Sequence, residues 1–454
     1  MMKLRFFLAL YVAKFTAWFM KLFRLNASHL PGTLATKICP DFLRYLNKVP
    51  CVICVTGTDG KTTTANLITD LLRSMGKTVI CNSGGSNTET GLSTAMAKTV
   101  TLGNRCKAEY AVLETDEHWT RIVVPKLRAD YLVVTNLLRD SLQRNAHSEY
   151  VAWKIGLIDS PSTKVILNAD ELCSAGLLPQ NSRVYFGIDR LPTDKTSGGT
   201  RVNDFLLCPK CGTPLTYDYV RYAHVGHCHC EGCGFASPEA DYRVLSLDPS
   251  AGTLKASLKG QEEKFPLTND TIFNIYNELT AISLLSEAGF SAEEIRAALQ
   301  KTPLTKRRYE ALQIGGKTLI NMMAKSNNSL PVSLVFDHIR SHEGKKAVIL
   351  ALDDLDEKHS SERIGWIYDT DYEFLNNPDI LQVIAVGVRY ADHKLRLLLA
   401  GIPEEKLFCC ADESEGIRAL SPEADTIFLL HDMSSYAGSV AAMTQIRAQL
   451  EGKA

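Results

Sequence analysis

The chain has 454 residues, of which 45% are hydrophobic and 22% charged, and its formal net charge is −1. This length exceeds one ordinary hydrophobic core, so two or three domains are expected. A chain so close to neutrality has no global field that favours nucleic acid or an acidic membrane. We therefore expect no nucleic-acid partner, and any charged substrate must be bound by local groups.

The first 25 residues are apolar with a few basic side chains. They open like a signal peptide, but Lys14 and Lys21 interrupt the apolar run and no small-residue cleavage site follows. The longest uncharged stretch, Phe6 to Ala13, is too short to span a bilayer. We predict an N-terminal helical segment over 1–48. It suits burial within the protein, which we favour, or peripheral contact with a membrane surface.

Strands alternate with helices from residue 51, which favours an α/β fold with a mostly parallel sheet. Short β-branched runs predict strands at 51–57, 77–81, 108–116, 129–137, 163–170 and 183–189. A polar connector and two antiparallel strands interrupt this rhythm over 190–265, and a helical pattern runs from Ile272 to about Gln300. A second β/α series then begins. We predict a central domain over 49–312 and a C-terminal α/β, Rossmann-like domain over 313–454.

A glycine-containing loop lies between the first of these strands and its helix, which is the context of a phosphate-binding P-loop. Backbone N–H groups and the helix N-terminus bind phosphate there. Lys61 is predicted to neutralise the β- and γ-phosphates of ATP, and Thr62 to offer its hydroxyl to Mg²⁺. The candidate ATP-binding residues of this loop are Gly57, Thr58, Asp59, Gly60, Lys61, Thr62 and Thr63.

Two Cys-x-x-Cys-Gly turns follow in the interrupting segment, at Cys208/Cys211 and Cys230/Cys233. Their spacing is that of a Cys₄ zinc ribbon, predicted as an insertion at about 203–240. Four thiolates leave no position for water, so the zinc is expected to be structural. His224, His227, Cys228 and His229 are alternative ligands, but we expect them to line the ribbon surface. The other cysteines favour a reduced, cytoplasmic protein over a disulfide framework.

Seven segments in order resemble the Mur ligase family. Thr-Gly-Thr-x-Gly-Lys-Thr-Thr-Thr departs from the general P-loop at Val55 and is the form typical of Mur ligases and folylpolyglutamate synthases. The others are 82–91, Glu114–Glu117, Thr135–Asp140, Asn168–Asp170, Asn274–Asn277 and Arg308–Glu310. The zinc ribbon and Gly365–Asp369, similar to Ser-Trp-Ile-Trp-Asp, indicate the MurT branch. The expected fold is a Mur ligase-like P-loop domain carrying the ribbon, with a MurT-type C-terminal domain.

The resemblance implies a function and further site residues. Members of this branch are synthetase subunits that use ATP and Mg²⁺ to amidate the D-glutamate α-carboxylate of lipid II through an acyl phosphate. Glu114 is then expected to hold Mg²⁺, and Asn274, Asn277 and Arg308 to bind the nucleotide. The partner is a GatD-type glutaminase that supplies ammonia, and the enzyme is expected in the cytoplasm, at the inner face of the membrane where lipid II lies.

The C-terminal domain departs from the branch at several positions. Lys325–Leu330 retains only the lysine of Lys-Asn-Pro-x-Gly-Phe, 353–358 differs from Asn-Asp-Asn-x-Ala-Asp-Gly, and Arg363 stands where an Asp is usual. An acidic residue here is thought to complete the partner's catalytic triad; we favour Asp369, with Glu362 and Asp354 as alternatives. Two other functions stay open: a different ligase, of the folylpolyglutamate or cyanophycin type, and a non-catalytic paralogue that acts as a binding module.

Overall fold

The computed structural model describes residues 2–47, 49–82, 86–139, 147–196, 200–269, 271–302, 309–324, 328–353, 355–356, 359–360, 364–432 and 436–452. The chain divides into two compact units. Unit 1 comprises Met1–Leu138, Ser148–Ser197 and Phe205–Thr305, and unit 2 comprises Arg139–His147, Gly198–Asp204 and Lys306–Ala454.

Three helices begin unit 1: α1 (Met2–Leu22), α2 (Leu30–Ile38) and α3 (Phe42–Tyr45). One face of α1 is fully buried in the core of unit 1, through Phe6, Ala9, Leu10 and Ala13. The predicted burial of this segment is therefore confirmed for one face of the helix, while its opposite face is exposed.

Alternating strands and helices follow, as the apolar runs predicted. The strands are β1 (Cys51–Thr56), β2 (Val79–Cys81), β3 (Tyr110–Glu114), β4 (Tyr131–Val134), β5 (Lys164–Asn168) and β6 (Arg183–Ile188). The helices between them are α4 (Lys61–Ser74), α5 (Glu89–Thr99), α6 (Thr120–Leu127), α7 (Ser148–Gly156) and α8 (Leu172–Ala175). The strands are buried because helices cover both faces of a parallel sheet.

The interrupting segment forms one antiparallel hairpin and then three consecutive antiparallel strands before the helical pattern resumes. The ribbon contributes the antiparallel pair β7 (Thr216–Tyr222) and β8 (Val225–His229), and β9 (Tyr242–Asp248), β10 (Thr253–Leu258) and β11 (Gln261–Pro266) extend the main sheet. Two helices, α9 (Ile272–Glu287) and α10 (Ala292–Lys301), replace the single predicted helical stretch. The break lies at Gly289, whose φ of +95° suits glycine and ends α9.

In the described part of unit 1, nine strands form one sheet in the order β11-β10-β9-β6-β5-β4-β1-β3-β2. Strand β1 pairs in parallel with β3 on one side and β4 on the other. Strands β2 and β3 lie on one side of β1, and the following strands β4, β5 and β6 lie on its other side, so the strand order reverses at β1. In open α/β sheets, ligands bind at such a switch point, outside the carboxyl ends of the strands.

Unit 2 contains the second β/α series. Its strands are β12 (Tyr309–Ile314), β13 (Lys317–Met323), β14 (Lys346–Ala351), β15 (Leu355–Asp356), β16 (His359–Ser360), β17 (Ile380–Ala385), β18 (Leu407–Cys409) and β19 (Thr426–His431). Its helices are α11 (Ser329–Ser341), α12 (Gly365–Asp369), α13 (Tyr390–Leu399), α14 (Glu413–Arg418) and α15 (Tyr436–Leu450), with 3₁₀ turns at Tyr372–Leu375 and Glu404–Lys406. The described strands of its main sheet run in the order β12-β13-β19-β14-β17-β18 and are parallel apart from the edge strand β12.

Candidate active site

The loop between β1 and α4 has the backbone that the sequence predicts for phosphate binding. Gly57 and Gly60 adopt φ of +132° and +81°. A Cβ at Gly57 would lie 2.2 Å from Thr135 Oγ1, and one at Gly60 would lie 2.3 Å from Asn277 Oδ1. Both positions therefore exclude a side chain. Helix α4 begins at Lys61 directly after this turn, so its free N–H groups lie at the loop, where they favour an anion.

The end of β4 supports the loop from the neighbouring strand. Asn136 accepts a hydrogen bond from the Asp59 N–H at 3.0 Å and donates to the Asp59 carbonyl at 3.1 Å. Thr135 donates to the same carbonyl at 2.6 Å. The Thr58 hydroxyl lies 3.0 Å from both the N–H and the carbonyl of Leu138. The Thr-Asn-Leu-Leu segment thus fixes the shape of the loop.

Lys61 lies in a largely buried ion pair. Its Nζ donates to Glu117 Oε1 at 2.6 Å, to the Thr58 carbonyl at 3.1 Å, and to the Gly57 carbonyl. The Glu117 side chain is only 3% exposed. Burial raises the pKa of this carboxyl group, and the Lys61 ammonium opposes that shift. Glu117 is the last residue of the Glu114–Glu117 segment, and no role was predicted for it from the sequence.

Thr62 and Glu114, predicted as magnesium ligands, are brought together. The Thr62 hydroxyl donates to Glu114 Oε2 at 2.7 Å, and Asn87 Nδ2 lies 3.4 Å from the other oxygen. Asn82 holds the Glu114 backbone through two hydrogen bonds of 2.9 Å. A hydroxyl and a carboxylate beside a phosphate loop are the oxygen donors that Mg²⁺ accepts, so these residues fit the ion.

The two predicted nucleotide-binding residues of α9 contact different parts of unit 1. Asn277 Oδ1 accepts a hydrogen bond from the Thr64 hydroxyl at 3.1 Å, so it lies against the first turn of α4. Asn274 donates to Thr271 Oγ1 at 2.7 Å, so its side-chain amide lies against the N-cap residue of its own helix. Arg308 lies outside the described residues, as do Ser83–Gly85 of the second loop. The roles of Asn274, Asn277 and Arg308 toward ATP stay predictions.

The hairpin of the ribbon is anchored in the core by an ionic cluster. Arg221 on β7 pairs with Asp170 at 2.8 Å and with Asp194 at 2.9 Å. The Tyr276 hydroxyl donates to Asp170 Oδ2 at 2.6 Å. Asp170 belongs to the Asn-Ala-Asp segment after β5, so this segment joins the ribbon to the main sheet and to α9.

The four predicted zinc ligands converge. The sulfurs of Cys208, Cys211, Cys230 and Cys233 all lie within 4.8 Å of one another. Cys208 and Cys233 are 3.6 Å apart and Cys211 and Cys230 3.5 Å apart, close to the roughly 3.8 Å that tetrahedral Zn–S bonds of about 2.3 Å require. In each turn the glycine N–H, from Gly212 or Gly234, donates to the carbonyl of the first cysteine. The donor set fits zinc.

The neighbouring histidines and Cys228 make other contacts. His227 and His229 are partly exposed and lie at 2.6 and 3.2 Å from Asp218, as expected for the ribbon surface. The same expectation was wrong for His224 and Cys228, which are 1% and 0% exposed. His224 is tolerated in the interior because its Nε2 has a polar partner, Glu171, at 3.0 Å. Cys228 packs as a small hydrophobic residue in the core of unit 1.

Asp369, the favoured triad residue, ends the short helix α12 in unit 2. Its carboxylate lies 3.2 Å from Arg139 Nη1, and it is 34% exposed. Arg139 also pairs with Asp204. An accessible carboxylate held by an arginine is compatible with orienting a histidine of another chain. The alternatives Glu362 and Asp354, and the divergent Arg363, lie outside the described residues.

Comparison with known proteins places this site in a family. The profile of the Mur ligase middle domain matches residues 55–190, and that of the MurT ligase C-terminal region matches residues 326–436. The chain is 30% identical over 380 residues to the lipid II isoglutaminyl synthase (glutamine-hydrolyzing) subunit MurT of Staphylococcus aureus (strain COL), covering 83% of this chain and 84% of that protein. The chain belongs to the MurT family.

Two further comparisons agree with the MurT assignment. The MurT subunit of Streptococcus pneumoniae (strain ATCC BAA-255 / R6) is 29% identical over 389 residues, or 84% of each chain. A solved pseudomurein peptide ligase type C from Methanothermus fervidus superposes with a TM-score of 0.67 at 20% identity, over 91% of this chain and 84% of that one. At this identity the structure supports only the fold, which is the predicted Mur ligase fold.

Proposed function

We propose that the chain is the ATP-dependent synthetase subunit of a lipid II isoglutaminyl synthase. The observation that carries the proposal is the intact phosphate loop, with Lys61, Thr62 and Glu114 assembled at the switch point of the sheet, in a chain related to MurT over most of its length. The substrate is the D-glutamate α-carboxylate of the lipid-linked stem peptide, and the product is its carboxamide.

The reaction has two steps. A carboxylate oxygen attacks the γ-phosphorus of ATP, the bond to the bridging oxygen breaks, and ADP leaves. Ammonia then attacks the carbonyl carbon of the acyl phosphate, phosphate departs, and the nitrogen loses a proton. Lys61 and the N-terminus of α4 stabilise the charge of the transferred phosphoryl group, so catalysis depends mainly on position and electrostatics.

The Lys61–Glu117 ion pair gives the lysine a defined position before the nucleotide binds. Because ATP phosphates carry more negative charge than one carboxylate, they compete with Glu117 for the ammonium group. Mg²⁺, when bound, neutralises phosphate charge, and the Thr62 hydroxyl and Glu114 carboxylate are the groups that hold it. Zinc would be held by the four ribbon cysteines and would stabilise the fold of the ribbon.

Ammonia comes from a GatD-type glutaminase partner. Two observations support a second subunit: the MurT relatives are named as subunits of a glutamine-hydrolysing enzyme, and Asp369 offers a partly exposed carboxylate on unit 2. We assign Asp369 the role of orienting the partner's catalytic histidine. Glu362 and Asp354 are the alternatives.

The enzyme acts in the cytoplasm at the inner face of the membrane, because its proposed substrate is anchored there. Among the described residues, no helix is both long and apolar enough to cross a bilayer.

The test is amidation with purified components. The chain, ATP, Mg²⁺ and ammonium are incubated with a muropeptide that carries free D-glutamate, and the product is identified by mass spectrometry beside ADP release. Conversion of the α-carboxylate to the carboxamide is expected. ADP release that depends instead on an added amino acid, with formation of a new peptide bond, would establish the alternative ligase. ATP binding without turnover would establish the non-catalytic alternative.

A further inference from the structure

The exposed face of α1 is apolar along its whole length. Helix positions four or three residues apart carry large side chains that are 48% to 77% exposed. We call these residues the α1 stripe: Leu4, Leu8, Tyr11, Phe15, Trp18 and Leu22. Phe23 and Leu25 continue the exposed apolar surface beyond the helix. A continuous apolar surface made of these eight exposed side chains marks an interaction site.

The stripe lies opposite the buried face of the same helix. At about 100° per residue, the six side chains fall within an arc of about 80°, and Phe6, Ala9, Leu10 and Ala13 are centred on the other side. Because these four residues pack into the core of unit 1, α1 is fixed in place. The stripe is therefore presented outward by the folded unit.

Basic side chains flank the stripe. In the helical projection Lys3, Lys14 and Lys21 form one row beside it, and Arg5 lies on the opposite edge. The first 40 residues contain six Lys and Arg residues and no Asp or Glu, whereas the whole chain has a net charge of −1. The positive charge is thus concentrated around the stripe.

We propose that the α1 stripe docks unit 1 on the surface of an anionic lipid bilayer. An apolar face with lysines and arginines at its borders is the arrangement of helices that lie in the membrane interface. The aliphatic parts of the flanking cations reach along the apolar surface while their charges meet acidic headgroups. Tyr11 and Trp18 suit the boundary between headgroups and acyl chains, because each joins an apolar ring to a polar group.

A bilayer fits this face better than a second copy of the chain or another protein. Two copies would bring two strongly basic segments together without an acidic residue of α1 between them, which is unfavourable. A protein partner needs acidic groups placed at both borders of the stripe, whereas an anionic bilayer supplies them at every position. The inference concerns binding alone and is independent of the proposed reaction.

The experiment measures sedimentation of the full chain with sucrose-loaded vesicles of phosphatidylcholine and phosphatidylglycerol in a ratio of three to one. Wild type is expected to bind, more weakly at high salt and on phosphatidylcholine alone. Phe15→Ser with Trp18→Ser removes two anchors and should weaken binding roughly 100-fold. The matched control is Leu395→Ser with Leu399→Ser, which changes two comparably exposed leucines of α13 and should bind as wild type.

Activity on a water-soluble muropeptide with ammonium is measured for the same variants, and both should resemble wild type. Failure of wild type to bind vesicles, or equal binding by the stripe variant, overturns the membrane proposal while leaving the reaction untouched. Loss of binding by both double variants also overturns it, because the effect is then not specific to α1. If the stripe variant changes only self-association or affinity for the glutaminase, the face is a protein interface.

Discussion

Glu171 and His224 meet inside unit 1, where the imidazole Nε2 lies 3.0 Å from a carboxylate oxygen and both side chains are inaccessible to solvent. Glu171 also accepts hydrogen bonds from the N–H groups of Leu137, Cys173 and Ser174. Leu138 in turn holds Thr58 of the phosphate loop. The turn of the ribbon hairpin is thereby connected to the predicted phosphate-binding loop.

We therefore expect His224→Ala to affect both stability and nucleotide binding. The substitution removes a partner from a buried carboxylate, which should lower the free energy of unfolding by about 1–3 kcal/mol. It should also weaken ATP binding several-fold through Leu137 and Leu138. Chemical denaturation and calorimetric titration with ATP measure the two effects. His227→Ala on the exposed side of the same hairpin is the control and should change neither; unchanged ATP affinity in His224→Ala would show that the connection is structural only.

Zinc removal should destabilise the ribbon. The purified protein is expected to contain about one zinc per chain, and Cys208→Ser with Cys211→Ser should lose it, because metal binding contributes folding free energy. Elemental analysis and thermal unfolding measure these outcomes. Cys228→Ala is the matched control: it changes a buried cysteine two residues from Cys230 that lies outside the sulfur cluster. Iron in place of zinc, or a folded protein without metal, would contradict the assignment.

Much of the central fold could be predicted from local patterns. Buried parallel strands are short β-branched runs, so the predicted bounds of β1, β3, β4 and β5 lie within about three residues of the observed ends. The magnesium roles of Thr62 and Glu114 are predicted from the P-loop pattern and from the family resemblance, and the two side chains meet because β1 and β3 are adjacent strands. The zinc ligands were predicted from spacing alone. The residues of the phosphate loop, and the two cysteines of each Cys-x-x-Cys pair, lie close together in the chain, so local patterns reveal them.

The missed features depend on distant contacts or on weak local patterns. Strand β11 carries three charged residues among six and pairs only at the edge of the sheet, so it has no apolar alternation. The burial of His224 depends on Glu171, 53 residues earlier. Glu117 acquires its contact with Lys61 only when β1 and β3 are paired. Sequence patterns do not contain such long-range partners.

Glu278 should make stability depend on pH. It is buried on α9, and burial raises the pKa of its carboxyl group to about 7, against hydrogen bonds from Thr268 that favour the anion. Because the pKa of the folded state exceeds that of the unfolded state, the contribution of Glu278 to stability is complete below about pH 4.5 and is lost as pH rises toward 7. The free energy of unfolding of Glu278→Gln, taken relative to that of wild type, should therefore rise by on the order of 3 kcal/mol when the pH is raised from 4.5 to 8. Denaturant titrations at the two pH values measure this difference, and an equal difference at both would contradict the raised pKa.

Lys61→Ala should abolish ATP turnover while the protein stays folded. The lysine donates to loop carbonyls and to Glu117 and is not part of the hydrophobic core. Removing a phosphate-binding cation from a phosphoryl-transfer site typically costs a factor of about 10³ or more. Glu117 then takes up a proton, since a buried carboxylate without its cation is disfavoured. ADP release and circular dichroism test the two parts. Lys255→Ala, at a surface ion pair on β10, is the control, and near-wild-type turnover in Lys61→Ala would refute the site.

A variant of Asp369 tests whether glutamine hydrolysis and amidation depend on different residues and different subunits. The chain alone should amidate with ammonium only, and use glutamine when the glutaminase is added. If Asp369 orients the partner's histidine, Asp369→Asn should reduce glutamine-dependent amidation by about 10³–10⁴-fold. The ammonium-dependent reaction should survive, because Lys61 and Glu114 belong to unit 1. The loss of the partly exposed ion pair with Arg139 should cost less than about 1 kcal/mol in stability.

Asp204→Asn provides the matched control, since it removes the other carboxylate from Arg139 and leaves Asp369 in place. It should retain glutamine-dependent activity. Equal inactivation by Asp204→Asn would mean that the effect of Asp369 passes through Arg139 and the local fold. Equal loss of both nitrogen sources in Asp369→Asn would place Asp369 in the synthetase reaction. Full activity in Asp369→Asn, with an inactive Glu362→Gln or Asp354→Asn, would transfer the triad role to that residue, because the partner's histidine requires one carboxylate at its Nδ1 side.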